Sequence, residues 1–437
     1  MFKPARILAA LLFLLASTLP LASPVRAEEE GAISYEVKQG DTLFGLARQY
    51  FVNSNAAIKV QRLNKIANPR RMPVGMVLSI PRELLRYTPV ELRVAGFSGQ
   101  VEIAGRAPAV GTVLNERQIV TTGRGGFVSF RAANGGEVAL PSNTRAQLLR
   151  ARRYVLGNLL DVDFAVLGGR GEAKAPKLRS DERFRLRTPT TVTAVRGTEF
   201  RVAHDEGTGL SLAEVVEGEV AVAAGADEVP TTAGFGVASS ASGVGMAEAL
   251  LPPPALIEPG AVQTGETLAF AIAPDSKAKG FRTQVARDAG FLEVVGEQLT
   301  SEAAVTFPSL DNGRYFVRAR AVSASELEGL SEATSFRRKR LGVAAEAAPS
   351  PLADGFLFKW LAQTAPDDGD ETVFAFQLWR EGQTASLLVD ETGMRETGLV
   401  LTDLAPGVYL WRVAAIQAVE EGLLKVWGPE QKLTVSE

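Results

Sequence analysis

The sequence has no cysteine and only one histidine, His204, among 437 residues. Without cysteine there are no disulfides, thiol nucleophiles, zinc–thiolate sites, iron–sulfur clusters or thiol-linked lipids. A single histidine excludes multi-histidine metal sites, and any histidine-based triad would rest on His204 alone. Charge of neither sign dominates, with 47 Lys and Arg against 50 Asp and Glu. Three of the cations, Lys3, Arg6 and Arg26, lie in a stretch before Glu28 that holds no acid. The remainder is therefore more acidic than the total of −3 shows, which opposes wholesale nucleic-acid binding. Long apolar runs are missing too. The run Ile7–Ala16 is too short to anchor in a bilayer, and no second segment approaches a spanning length. No phosphate-binding loop, dinucleotide fingerprint or calcium-loop pattern occurs, so neither a cofactor nor a metal is expected.

What is present begins with a basic start, the apolar run, and Val25-Arg26-Ala27 ahead of Glu28. This pattern predicts a cleaved secretory signal over residues 1–27, with Ser17, Thr18 and Pro20 arguing against an uncleaved anchor. The expected location is the periplasm or cell envelope, with no integral membrane segment after cleavage. At 46% hydrophobic residues, the chain has enough apolar mass for several packed domains.

Residues 33–82 read as strand, helix, helix, strand. Ile33–Val37 alternates, Gly40-Asp41-Thr42 opens a helix, and Leu43, Leu46, Ala47 and Tyr50 share one helical face. A second helix fits 56–63, with Ile58 and Leu63 expected inward. A closing strand runs through Leu78 and Ile80. The order Tyr35-x-Val37-x-x-Gly40-Asp41-Thr42-Leu43, Leu63-Asn64, Pro73-x-Gly75, Leu78-x-Ile80-Pro81 resembles a LysM module. The resemblance implies binding of N-acetylglucosamine-containing glycan, hence peptidoglycan. It places Gly40, Asp41, Thr42, Leu43, Ile66, Ala67, Asn68 and Pro69 at the sugar. The same loop residues also serve as a good helix start, a role in folding alone.

From 89 to 245 helical periodicity stops, and short alternating runs separated by glycine predict a dense all-β domain. The stretch Thr188-Pro189-Thr190, Ala194-Val195-Arg196-Gly197-Thr198-Glu199-Phe200 and Glu217-Gly218-Glu219-Val220 is similar to the FecR-type periplasmic domain. Arg183, Arg185 and Arg187 alternate on one strand and are expected to form a solvated face. An attraction to acidic glycan or phosphate groups of the envelope is the functional alternative for that face.

After a proline-rich stretch at 246–259, the chain repeats itself. Leu310-x-x-Gly313-x-Tyr315-x-x-Arg318 returns as Leu404-x-x-Gly407-x-Tyr409-x-x-Arg412, 94 residues later. The motif resembles the tyrosine corner of fibronectin type III and related immunoglobulin-like sandwiches, giving domains at 251–338 and 341–437. Tyr315 and Tyr409 are then expected in the core. The run Arg337-Arg338-Lys339-Arg340 between the copies reads as a solvated hinge or a protease-sensitive spot.

The predicted fold class is multidomain and mainly β, with one small βααβ module. The expected function is a secreted, non-catalytic, peptidoglycan-binding protein whose β domains act as scaffold or bind an unidentified envelope protein. An envelope signal sensor working through the FecR-like domain is the first alternative. A carboxylate-dependent cell-wall glycan hydrolase is the second, and no acid-bearing catalytic motif supports it.

Overall fold

The computed structural model describes residues 31–436 except 134, 196, 197, 225, 226, 353, 367 and 421. The expected signal at 1–27, and Arg196 and Gly197 of the FecR-like signature, lie outside the described residues. The chain divides into two compact units. One is the N-terminal part to Arg86 with Val155–Gly157, and the other holds the remainder.

In the first unit, β1 (Ala32–Glu36) pairs antiparallel with β2 (Val77–Pro81). α1 (Leu43–Tyr50) starts at Thr42, whose hydroxyl accepts from the Gly45 N–H, and it buries Leu43, Leu46 and Ala47. α2 (Ser54–Leu63) is capped by Asn53 and buries Ala56, Ala57 and Val60. Ile58 and Leu63, expected inward, are instead exposed. The helix starts two residues earlier than its apolar spacing indicated, and its close-packed face is built on small residues.

The second unit opens with eighteen described strands between Tyr87 and Ala249, linked in one hydrogen-bonded array. The strand Leu159–Lys174 organises it. Its first half pairs with Arg145–Tyr154 and, in parallel, with Arg183–Arg187. Its second half pairs with Glu199–His204 and Glu137–Leu140. The change of partners falls at glycines. Gly169 has φ +83°, and a β-carbon there would meet the Asn143 carbonyl oxygen at 2.4 Å. One at Gly171 would meet Leu186 and Val166 at 2.8 Å. Val162, Phe164, Val166, Phe184, Leu186 and Phe200 are among the side chains that fill the core between the layers.

On this strand Asp161 and Asp163 are fully buried, and they correct the reading of the basic stretch. Arg150 and Arg185 each hold Asp163 at 2.8 Å, and Arg187 reaches it at the same distance. The arginine face expected in solvent is folded over two carboxylates of the neighbouring strand, where cross-strand register brings opposite charges together.

Two sandwiches follow. The first sets the sheet Leu256–Ile257, Leu268–Ile272, Ala304–Phe307 against Val294–Thr300, Gly280–Ala286, Gly313–Val322, Ala333–Arg338. The second repeats the plan, with Leu341–Pro349, Gly355–Thr364, Gly398–Thr402 against a five-stranded sheet that contains Val373–Arg380 and Gly407–Val419. Each tyrosine corner closes as expected. Tyr315 Oη donates to the Asp311 carbonyl at 3.1 Å and Tyr409 Oη to the Ala405 carbonyl at 2.6 Å. The expected hinge is no hinge. Arg338 is buried and donates to the carbonyls of Gln263, Gly265 and Leu310, while Lys339 holds Asp368 at 2.8 Å and Asp370 at 2.7 Å.

Candidate functional site

In the first unit, two loops meet at the start of α1. The Leu43 N–H donates to the Pro69 carbonyl at 2.9 Å, so Gly40–Thr42 and Ala67–Pro69 stand side by side. Gly40 sits at φ +87°, a conformation that disfavours any side chain. Asp41 locks the first loop by accepting from Tyr35 Oη and the Lys38 N–H, each at 2.8 Å. Burial, and then that bond to Asp41, push the Tyr35 phenol up to about 12, so it stays a neutral donor. In the second loop the Asn68 side chain accepts from the Arg70 N–H at 3.0 Å, and Gln61 Nε2 reaches the Ile66 carbonyl at 3.1 Å.

Of the eight residues expected at the sugar, Gly40, Ala67 and Asn68 are exposed, and Asp41, Thr42 and Pro69 are half-buried. Leu43 and Ile66 turn their side chains into the core, where they support the loops from beneath. One residue was missed. Phe44, next in the chain after the loop, leaves 51% of its surface exposed in the first turn of α1. The sequence signal was its position off the Leu43–Leu46–Ala47 stripe: an aromatic on a polar face is a poor core residue and a good cover for a sugar ring.

A second constellation lies in the other unit, where the FecR-like block meets the first sandwich. Gly280–Ala286 is buried along its whole length because both its faces are covered. Val285 faces the sandwich core, whereas Arg282 and Gln284 lie on the other face and both donate to Glu297, which also accepts from Ser142 of the FecR-like block. Glu172 receives Arg320 at 2.6 Å and Arg318 at 3.3 Å. Glu214 receives Arg170 at 2.9 Å and Arg201 at 2.7 Å, and it also accepts the Glu328 N–H at 2.7 Å. Glu328 in turn accepts Arg170, Arg282 and Arg320. Burial works against ionising Glu172 and Glu328. The surrounding guanidinium groups overcome it, Arg320 first for Glu172 and Arg170 first for Glu328, and hold both carboxyls below the usual range. Apolar contacts flank the charges: Phe127 packs with Ala286, Phe291 and Val294, and Leu327 with Leu250 and Leu212. Ser129 Oγ donates to the Leu292 carbonyl at 2.5 Å.

His204 bonds Ser211 Oγ at 2.9 Å through Nδ1, and burial lowers its pKa. Ser211 is fully buried, so the pair offers no nucleophile to a substrate.

Comparison with known proteins follows the same division. Residues 35–81 match the LysM domain and residues 118–221 match the FecR protein family. The first match falls on the small βααβ module and the second within the all-β block, while the two C-terminal domains are β-sandwiches that each carry a tyrosine corner. No curated protein matches it. Among solved structures, a proposed anti-sigma factor from Parabacteroides distasonis aligns at 15% identity and TM-score 0.26 over 30% of this chain. The chain spans 59% of that structure's length. The FN1–FN3 domains of chicken CNTN1 align at 12% identity and TM-score 0.23, over 62% of this chain and 99% of theirs. The fibronectin(III)-like modules of Clostridium thermocellum CbhA align at 13% identity and TM-score 0.20, over 42% and 94%.

Proposed function

We propose that the protein is a non-catalytic, secreted envelope protein that holds peptidoglycan through residues 33–82 and presents its β domains as a scaffold for an envelope protein partner. The observation that carries this reading is the LysM match over a module whose two loops stand together at Leu43 and Pro69 with their polar rim open. Backbone groups of Gly40–Thr42 and the Asn68 amide suit N-acetyl groups, and Phe44 suits the apolar face of the sugar. One module gives modest, reversible binding.

The test is co-sedimentation with insoluble peptidoglycan. The full chain should pellet, and a chain starting at residue 89 should stay in the supernatant. Asn68→Ala with Phe44→Ala should weaken pelleting. Equal pelleting of the truncated chain would refute the glycan assignment. Release of soluble muropeptides by the pure protein would refute the non-catalytic one.

The FecR match favours a second reading, in which this domain receives or relays an envelope signal. Envelope proteins captured by the chain from residue 89 separate the two. A membrane receptor or anti-sigma partner favours signalling, and a cell-wall enzyme or structural protein favours the scaffold.

A further inference from the structure

Charge is divided unevenly along the chain. Residues 87–437 carry 35 Lys and Arg against 44 Asp and Glu. Residues 31–86, the glycan module, carry nine Lys and Arg against three acids, and from Val37 to Arg82 the only acid is Asp41. Such a local excess of one sign on a protein of the other sign attracts an oppositely charged partner.

Five of these cations stand at the two loops that meet at Leu43 and Pro69. In the first loop the Lys38 carbonyl accepts the Asp41 N–H at 3.1 Å, so Lys38 closes the turn that leads into α1. In the second, the Arg70 N–H donates to the Asn68 side chain at 3.0 Å and the Arg71 N–H to the Asn68 carbonyl at 3.1 Å. Both arginines are thereby fixed beside Asn68. Lys65 directly precedes Ile66, and Arg48 lies one helical turn beyond Phe44 on the same face of α1. All five side chains are exposed, and among the described residues none of them enters an ion pair. Asp41, the one carboxylate at the loops, is held by Tyr35 Oη and the Lys38 N–H. The module's other acids stand elsewhere, Glu36 on β1 opposite Val77 and Glu83 in the Arg82–Leu84 turn.

We propose that the module selects glycan that carries carboxylates, and that Arg70 and Arg71 receive the carboxylate borne by the sugar next to the N-acetylglucosamine seated between the loops. The inference rests on the glycan reading above and names the charge class of that glycan. Guanidinium groups suit a carboxylate by fork geometry as well as by charge. In peptidoglycan the carboxylate has two sources. One is the lactyl ether of N-acetylmuramic acid on a strand stripped of peptide, and the other is the acidic part of the stem peptide on an intact strand. Both hang from the same sugar, whereas a polymer of N-acetylglucosamine alone offers neither.

The experiment is calorimetric titration of the full chain with two tetrasaccharides of alternating N-acetylglucosamine and N-acetylmuramic acid, one free of peptide and one bearing stem peptides. Each is paired with a copy whose carboxyls have been converted to amides. At low salt an acid form should bind about five- to tenfold more tightly than its amide, and the advantage should shrink as salt is added. Arg70→Gln combined with Arg71→Gln should remove the preference. The uncharged N-acetylglucosamine tetramer reports, in the same variant, that the loops are folded. The pair that shows the preference identifies the source, lactyl group or stem peptide. Equal binding of acid and amide in both pairs, or a preference that survives the double substitution, would overturn the proposal while leaving glycan binding in place. Tighter binding to phosphatidylglycerol vesicles than to either glycan would assign the cations to a membrane surface and overturn it as well. If no saccharide binds, the glycan assignment falls and this one with it.

Discussion

The two sandwiches lay the same row of side chains across the outer face of their larger sheet, and the rows have different fates. In the first, Arg318 Nε donates to Gln284, which donates to Glu297 on the next strand. In the second, Arg412 donates to Gln377, which donates to Asp390. Register puts each trio directly in line across three strands. Yet Gln284 and Glu297 are buried, whereas Asp390 is exposed and Arg412 and Gln377 are half-buried. The FecR-like block covers the first row and brings Glu172 to it. Over the second, Arg412 stacks on Trp427 at 4.2 Å. The comparison teaches that the sandwich face is a neutral platform, and its neighbour decides whether it becomes surface or interface.

That difference can be broken experimentally because all four tryptophans, Trp360, Trp379, Trp411 and Trp427, lie in the second sandwich. Tryptophan emission follows that sandwich alone, while calorimetry follows the whole chain. The largest effect should come from Glu172→Ala, which strands Arg320 without its main partner inside the junction. It should destabilise the tryptophan-free transition by about 3–5 kcal/mol. The matching Asp390→Ala on the exposed row should cost under about 0.5 kcal/mol. Equal costs would erase the distinction between the rows.

A smaller and shared effect is expected at the tyrosine corners. Tyr315→Phe and Tyr409→Phe each remove one hydroxyl bond to a carbonyl and should cost about 1 kcal/mol. Only Tyr409→Phe should shift the tryptophan-reported melt. If Tyr315→Phe shifts it equally, the sandwiches unfold together and the comparison must be redrawn.

Acid sharpens the contrast further. Glu172 and Glu328 are held below the ordinary carboxylate value in the folded protein, so below about pH 4.3 the unfolded chain binds protons that the folded chain refuses. Their stabilising contribution is complete above that pH and declines as pH falls through it. The tryptophan-free transition should therefore lose Tm faster on acidification than the second sandwich, whose lowered carboxyl is Asp368. Parallel loss by both would contradict the ionic account of the junction.

The elements of the small module, the all-β block and both corners were legible because each rests on local signals: a capping threonine, alternation, and a tyrosine at a fixed distance from a glycine. Charge placement was not legible. Arg185 and Arg338 look like surface residues in a one-dimensional reading, and only long-range pairing shows Asp163 beside one and a ring of carbonyls around the other. Likewise the alternation of Arg318 and Arg320 announces an outward face but says nothing of a second domain laid over it. At the glycan loops, Gly40, Asp41 and Thr42 could be read directly. The inward turn of Leu43 and Ile66 and the exposure of Phe44 follow from packing that spacing alone does not reveal.

The central structural claim is that the FecR-like block and the first sandwich are joined by a buried ionic seam into one cooperative body. The most direct test is a double-mutant cycle of Glu172→Ala and Arg320→Ala, read in the tryptophan-free transition of the full chain. A coupling energy of at least about 1.5 kcal/mol is expected for a close charge pair between domains. Additivity within about 0.5 kcal/mol would show that the two residues stabilise their own domains separately, and the seam would not exist.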